Sequence, residues 1–339
     1  MSYKDLPSKI KSLKPCKIVL VGHRYADADA LVSIELFKFL VNSIRKDIQI
    51  DILIPEKISG KAIKISKNLK IKKLEVLPEP EIYNLAVFLD VGGESVLGSA
   101  DIYLKNVKEK WLIDHHIQTK KFTELFDYVI VDNQSASSAC EIIYNAINHE
   151  KISLPKKLKL PFLSALLAET RFLRIAKKET LYIISKLCEN ENLIQEASEL
   201  LKYDLDQSGK IAILKSLKRC EVYQFRNYLI SFSRVGSHHS QSAKMLSNIG
   251  IDFVVVGDDN VGKCNLHIIM SKRITNFLKI DAGGDIVKLM TNKFGGTGGG
   301  HPGIAVLEIY TTLNNAYKYL HEIIKNNIHG LNKELTKIE

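Results

Sequence analysis

Paired cysteines, long apolar runs and nucleophile motifs are all missing from this sequence, and each absence closes off a class of protein. Its five cysteines, Cys16, Cys140, Cys188, Cys220 and Cys264, are scattered and odd in number, with no Cys-x-x-Cys pair. They read as reduced thiols of a cytoplasmic protein, not as a disulfide framework or a zinc site. No apolar run approaches the ~20 residues that a membrane helix needs. The opening Met1-Ser2-Tyr3-Lys4-Asp5 carries no apolar leader core, so a cytoplasmic protein without membrane contact is expected. No triad is evident, and no serine or cysteine sits in a nucleophile elbow. Internal repeats are absent, and one glycine cluster is the single biased tract.

What remains is an ordinary globular composition, 45% hydrophobic and 25% charged over 339 residues, long enough for two cores. The net charge of +10 suits a polyanionic partner. Strand-like runs near 17–21, 49–54, 85–91, 110–113 and 128–132 alternate with helical patterns at 30–44 and 137–149. That alternation predicts an α/β fold, a mainly parallel sheet with helices on both faces.

The chemistry sits at the ends of those runs. His23, Asp27 and Asp29 fall between the first strand and the next helix, where open α/β sheets bind ligands. Two carboxylates one residue apart raise each other's pKa, and a divalent cation removes the conflict. Asp90 ends the run 85–89, and Asp114-His115-His116 end the run at 111–113. A helical segment at 161–168 delivers Glu169-Thr170-Arg171. Acidic and imidazole groups at successive element ends are what a two-metal hydrolytic site requires.

In this order the motifs resemble the DHH phosphoesterase superfamily, which includes RecJ-type nucleases, oligoribonucleases, cyclic-dinucleotide phosphodiesterases and manganese pyrophosphatases. His23, Asp27 and Asp29 match its first motif, Asp90 the second, Asp114-His115-His116 the signature, and Glu169-Thr170 the fourth. The run 137–141 resembles the opening of the helix after the signature. Gly295 to Gly300 with His301 resembles the glycine-rich loop of the associated DHHA1 domain. Ser271-Lys272-Arg273 resembles the Ser-x-Arg strand element before that loop. One departure is Glu169, where the family has Asp, with Arg171 where glycine is common.

The resemblance implies a DHH domain at 1–190, a helical connector at 191–217 and a smaller α/β DHHA1-like domain at 218–329. It implies two divalent ions, Mn²⁺ before Mg²⁺. His23, Asp27 and Asp90 would hold one, while Asp29, Asp90, His115 and Glu169 would hold the other. A water between the ions would attack phosphorus in line. His116 would donate to the phosphate and Asp114 would orient an imidazole. Arg273, Gly298, Gly299, Gly300 and His301 would bind substrate, clamping the far end of a short chain.

The implied activity is hydrolysis of short RNA or single-stranded DNA to nucleoside monophosphates. The alternatives are a 3′-phosphatase for phosphoadenosine phosphate, and a weakened RecJ-like scaffold among the proteins of an archaeal-type replicative helicase complex. Elsewhere, 57–73 reads as an amphipathic helix with a solvated lysine face, and 151–159 as a solvated loop. His238-His239 reads as a helix start, with substrate contact as its functional alternative.

Overall fold

The computed structural model describes residues 2–14, 16–188, 193–202, 205–328 and 335–338. It divides into two compact units, Met1–Tyr203 and Asp204–Glu339. The sequence reading sets a helical connector over 191–217; its turn at 189–192 lies outside the described residues.

The first unit begins with α1 (Leu6–Lys11), β1 (Lys17–Val21), α2 (Ala28–Ile44), β2 (Gln49–Leu53) and α3 (Ile63–Leu69). Next come β3 (Leu85–Leu89), α4 (Asp101–Asn106), β4 (Glu109–Asp114), α5 (Lys120–Thr123) and β5 (Tyr128–Val131). Four helices complete it: α6 (Ala139–His149), α7 (Lys156–Glu169), α8 (Lys178–Leu187) and α9 (Ile194–Leu201). The strands form one sheet in the order β2-β1-β3-β4-β5, every pair parallel.

All five residues of β3 are buried, because helices cover both faces of the sheet. One face packs Leu20, Val87 and Trp111 against α2, α6 and α7; the other packs Val19, Phe88 and Leu112 against Tyr103 and Phe126. The central strands β1, β3 and β4 end at the same edge, so the residues that follow them are neighbours in space. That edge is the site.

Two lysine-rich readings need correction. Of 57–73, only Ile63–Leu69 is α-helical, after a short 3₁₀ turn at Gly60–Ala62. The loop at 151–159 is shorter than expected, because α7 begins at Lys156, with Pro155 as its N-cap and Leu158 anchored in the core. Pro161 therefore lies inside the helix rather than near its start.

The second unit runs α10 (Gln207–Lys218), β6 (Glu221–Phe225), β7 (Tyr228–Arg234), α11 (His239–Asn248), β8 (Phe253–Asn260) and β9 (Lys263–Met270). It continues α12 (Lys272–Leu278), α13 (Val287–Phe294), β10 (Thr297–His301), β11 (Ile304–Ile309), α14 (Leu313–Asn327) and β12 (Thr336–Ile338). Its sheet has the order β10-β11-β9-β8-β7-β6-β12, antiparallel except for β7 with β8. Among the described residues no helix is long and apolar enough to cross a membrane.

Two expectations for this unit are overturned. Ser271-Lys272-Arg273 is no strand: Ser271 caps α12 through its side chain, and Lys272 and Arg273 form the first turn. The glycine run is only partly a loop, since Thr297–His301 pairs with β11 as an edge strand. Glycine is forced there by close approach. A Cβ on Gly300 would stand 2.0 Å from the carbonyl oxygen of Ile304, and Gly296 holds φ at +94°.

Candidate metal centre

The first cluster is assembled by the turn from β1 into α2. Gly22 N–H donates to Leu53 O (3.0 Å) and Arg24 N–H to Val96 O (2.8 Å), pinning the turn on both sides of His23. Asp27 is the N-cap of α2; its Oδ1 accepts from the amides of Asp29 (3.0 Å) and Ala30 (3.2 Å). His23 Nε2 lies 3.7 Å from Asp27 Oδ1 and 3.9 Å from Asp90 Oδ2. Ligand atoms of His23, Asp27 and Asp90 all fall within 4.8 Å of one another.

Asp90 leaves the end of β3 with φ at +58°, a left-handed conformation rare outside glycine and asparagine. Its amide donates to Ile113 O (3.0 Å), which ties the kink to β4. The side chain is buried, and Oδ1 has no hydrogen-bond partner.

The second cluster follows β4. Asp114, fully buried, lies 2.8 Å from His116 Nδ1 and also accepts from Gln118, whose amide bonds Val91 O as well (3.0 Å). With Asp114 ionised, His116 carries its proton on Nδ1 toward it. His115 turns the other way: its Nε2 is buried and unpartnered, 3.5 Å from Asp90 Oδ1, 3.7 Å from Asp29 Oδ2 and 4.0 Å from Glu169 Oε2.

Asp29 is held hardest. Its Oδ2 accepts from the Ala139 amide (2.7 Å), and its Oδ1 from the Cys140 amide (2.8 Å) and Ser33 Oγ (3.2 Å). Those amides open α6, whose positive dipole end suits a carboxylate. Glu169 is the last residue of α7, beyond buried Leu166 and Leu167. After it the chain makes a left-handed turn of three non-glycine residues, Arg171, Phe172 and Leu173, at φ +51°, +55° and +69°. Each costs about 1–2 kcal/mol. Buried Thr170 braces the turn, with Oγ1 donating to Leu166 O (2.6 Å) and accepting from Leu173 N–H (3.2 Å).

The electrostatics follow from this crowding. Burial, then the charges of Asp29, Asp27, Asp114 and Glu169, pushes Asp90 well above the usual carboxylate range. Burial followed by Asp29 and Asp27 raises Glu169 to about 8. Burial raises Asp29 too, against the pull of His115. Partial burial works against charge on Asp27, but the bond and charge of His23 and the Ala30 and Asp29 amides outweigh it, so its pKa falls. Asp114 also falls, since His116 and Gln118 overcome its burial. His116 rises through its bond to Asp114, against burial.

These groups suit a divalent cation. Two ligand atoms each about 2.1 Å from one ion stand about 3.0–3.4 Å apart. The 3.5–4.0 Å gaps around His115 Nε2 are slightly wider, too long for hydrogen bonds and close to a shared ion's spacing. Carboxylate and imidazole together suit Mn²⁺ or Mg²⁺ better than a thiolate-loving metal.

All six expected ligands therefore gather at one sheet edge, with Asp114 and His116 beside them. Sequence reasoning missed Gln118, Ser33 and the Ala139 and Cys140 amides that support the acidic groups. The substrate-binding candidates belong to the second unit. Arg273 is engaged there: it bonds Asn227 O and Asp252 Oδ2 (3.1 Å) and covers the Tyr228 ring. His301 is exposed at the end of β10, where its Nδ1 accepts from Gly303 N–H (3.3 Å). His238 precedes α11 with φ +57°, and His239 Nε2 lies 2.9 Å from Val235 O.

Residues 17–169 match the DHH family, N-terminal domain. Over 298 residues the chain is 26% identical to an uncharacterised protein of Methanocaldococcus jannaschii, covering 86% of this chain and 87% of that one. An exopolyphosphatase-related protein from Bacteroides fragilis is similar in structure, with TM-score 0.70 and 18% identity over 96% of each chain. The structure of exonuclease RecJ bound to manganese is similar with TM-score 0.51 and 12% identity, covering 98% of this chain and 96% of that one. At these identities the structural likeness is one of fold.

Proposed function

This chain belongs to the DHH superfamily, with a hydrolase-like fold and two residue clusters able to bind metal, and we propose that it is a metal-dependent phosphodiesterase. Its substrates are short oligonucleotides or single-stranded ends, released as nucleoside monophosphates. The observation that carries this reading is the pair of buried, unpartnered atoms Asp90 Oδ1 and His115 Nε2, ringed by further carboxylates. Such atoms are costly in a folded protein unless something binds them.

His23, Asp27 and Asp90 would hold one ion; Asp29, Asp90, His115 and Glu169 would hold the other. When bound, the pair would supply an activated hydroxide at neutral pH and charge stabilisation for the attacking and leaving oxygens. His116, whose pKa its bond to Asp114 raises, donates to a phosphate oxygen or the leaving group. The α6 amides fix Asp29, and the kink at Asp90 aims its carboxylate toward both clusters. In the second unit, His301 and the Gly298–Gly300 backbone are the proposed substrate-binding groups. Arg273, paired with Asp252, acts there mainly by ordering its surroundings.

The net charge of +10 favours a nucleic-acid substrate. The relative described as exopolyphosphatase-related motivates a second reading, hydrolysis of phosphoanhydrides. A helicase-associated scaffold would have no need to keep both clusters complete. The deciding experiment measures Mn²⁺-dependent release of mononucleotides from labelled di- to pentanucleotides, with tripolyphosphate and phosphoadenosine phosphate alongside. Mononucleotide release is expected. Turnover of the inorganic substrate alone, or none at all, overturns the proposal.

A further inference from the structure

Beside the metal centre lies a cleft of about 530 Å³ that none of the ligand roles accounts for. His115 and Glu169 line it, so it opens directly from the second cluster. Its other walls are the left-handed turn after α7, which brings Arg171 and Ile175, and the segments after β4 and β5, which bring Ile117 and Asn133. Lys177 Nζ ties the two sides together, donating to the carbonyls of Asn133 (2.9 Å) and Ala136. The walls are thus built into the first unit's backbone.

The lining is chemically uneven. Ile117 is 86% exposed and Ile175 56% exposed, large aliphatic side chains left in water next to a cluster of charges. The charge of Lys177 is spent on carbonyls. Arg171, by contrast, makes no side-chain hydrogen bond or ion pair among the described residues, although it lines the same cleft. A site meant only for inorganic phosphates would gain nothing from two exposed isoleucines. A base offers them a flat apolar face, an adjoining phosphate offers Arg171 an anion, and Asn133 can pair with a base edge.

We propose that this cleft is the subsite for one nucleotide unit of the substrate, its base against Ile117 and Ile175 and its phosphate on Arg171. The proposal rests on the phosphodiesterase reading, because a diester bound at His115 and Glu169 directs one of its two substituents into the cleft. It also gives Arg171, placed where the family commonly has glycine, a function of its own. The substrate class that follows is a nucleotide with a second phosphate, not a bare phosphoanhydride chain.

The test is titration calorimetry on the full chain with Mn²⁺, using adenosine 5′-monophosphate, adenosine and inorganic phosphate as probes. The nucleotide is expected to bind at least about ten-fold more tightly than either fragment. Arg171→Gln should weaken nucleotide binding about ten-fold and leave adenosine unchanged, while Arg171→Lys restores part of the loss. Ile117→Ser with Ile175→Ser should weaken nucleotide and adenosine but not phosphate. All three side chains are exposed, and unaltered thermal unfolding checks that each variant is folded. Equal affinity for nucleotide and phosphate in the wild type, or Arg171→Gln without effect, overturns the subsite. Hydrolysis of bis(p-nitrophenyl) phosphate, run in parallel, separates the two claims. Its persistence without nucleotide selectivity removes the subsite alone; nucleotide binding without hydrolysis of any diester removes the phosphodiesterase reading.

Discussion

Replacing Asp90 with asparagine is expected to make the metal-free protein more stable while abolishing turnover. Asp90 is 3% exposed, and its oxygens lie within 4.8 Å of ligand atoms on Asp27 in one cluster and Asp114 in the other. Two like charges at that separation repel by about 3.5 kcal/mol at an effective dielectric constant near 20. Burial first, and this repulsion with that of Asp29 and Glu169 second, favour a proton on Asp90 and hold it well above its ordinary range. The sign of the pH effect then follows. A carboxyl group with a raised pKa binds more protons folded than unfolded, so stability falls as pH rises past the unfolded value of 3.8. Glu169 adds the same sign between its ordinary 4.5 and about 8. Asparagine removes the Asp90 charge, keeps its shape and tolerates the left-handed φ. The variant should therefore exceed wild type by about 1–3 kcal/mol at about pH 8, the difference shrinking toward zero only below about pH 4. Mn²⁺ at 100 times its dissociation constant should raise wild type by about 2.7 kcal/mol, and the variant far less. Urea unfolding in a chelating buffer, with and without added Mn²⁺, reads both effects. An Asp90→Asn protein less stable than wild type at the higher pH, or equally stabilised by Mn²⁺, would refute the reasoning.

Three further outcomes are expected. His116→Gln should lower turnover about 10²-fold while leaving stabilisation by Mn²⁺ intact; loss of that stabilisation would make His116 a ligand instead. His301→Ala should raise KM for short oligonucleotides more than it lowers kcat, and an unchanged KM removes the clamp role. Gly300→Ala, placing a Cβ 2.0 Å from Ile304 O, should cost about 1–3 kcal/mol in urea unfolding, and a negligible shift would contradict the edge-strand packing.

The metal cluster was legible in the sequence for a local reason. The runs of β1, β3 and β4 each lead within two residues to a carboxylate or imidazole, and a parallel sheet brings those ends to one edge. The strand bounds at Lys17–Val21 and Leu85–Leu89 needed only apolar continuity. Less readable were features decided by pairing or close contact. Glycine carries no strand propensity, so the pairing of Thr297–His301 with β11 has no local signature. The resemblance reads Ser271 as part of a strand, whereas its side chain caps α12. The left-handed turn at Arg171, Phe172 and Leu173 contains no glycine to announce it, and Thr170, which braces it, looks like any helix-end threonine.

Glu169 is where these strands of argument meet. A glutamate in place of aspartate extends the carboxylate by one methylene, a change that metal sites tolerate only if the backbone compensates. Here it closes a helix seated in the core, and its Oε2 reaches to 4.0 Å from His115 Nε2. The turn that follows is conformationally costly yet bonded at nearly every step, so the end of α7 is fixed rather than free to adjust. The same turn carries Arg171 to the rim of the adjoining cleft. Glu169 and Arg171 are thus coupled departures: a longer ligand on a braced helix end, and a second cation beside Lys177, whose own charge is held by the Asn133 and Ala136 carbonyls. On that view the fourth motif has been rebuilt around a larger substrate group, and its divergence counts for function rather than decay.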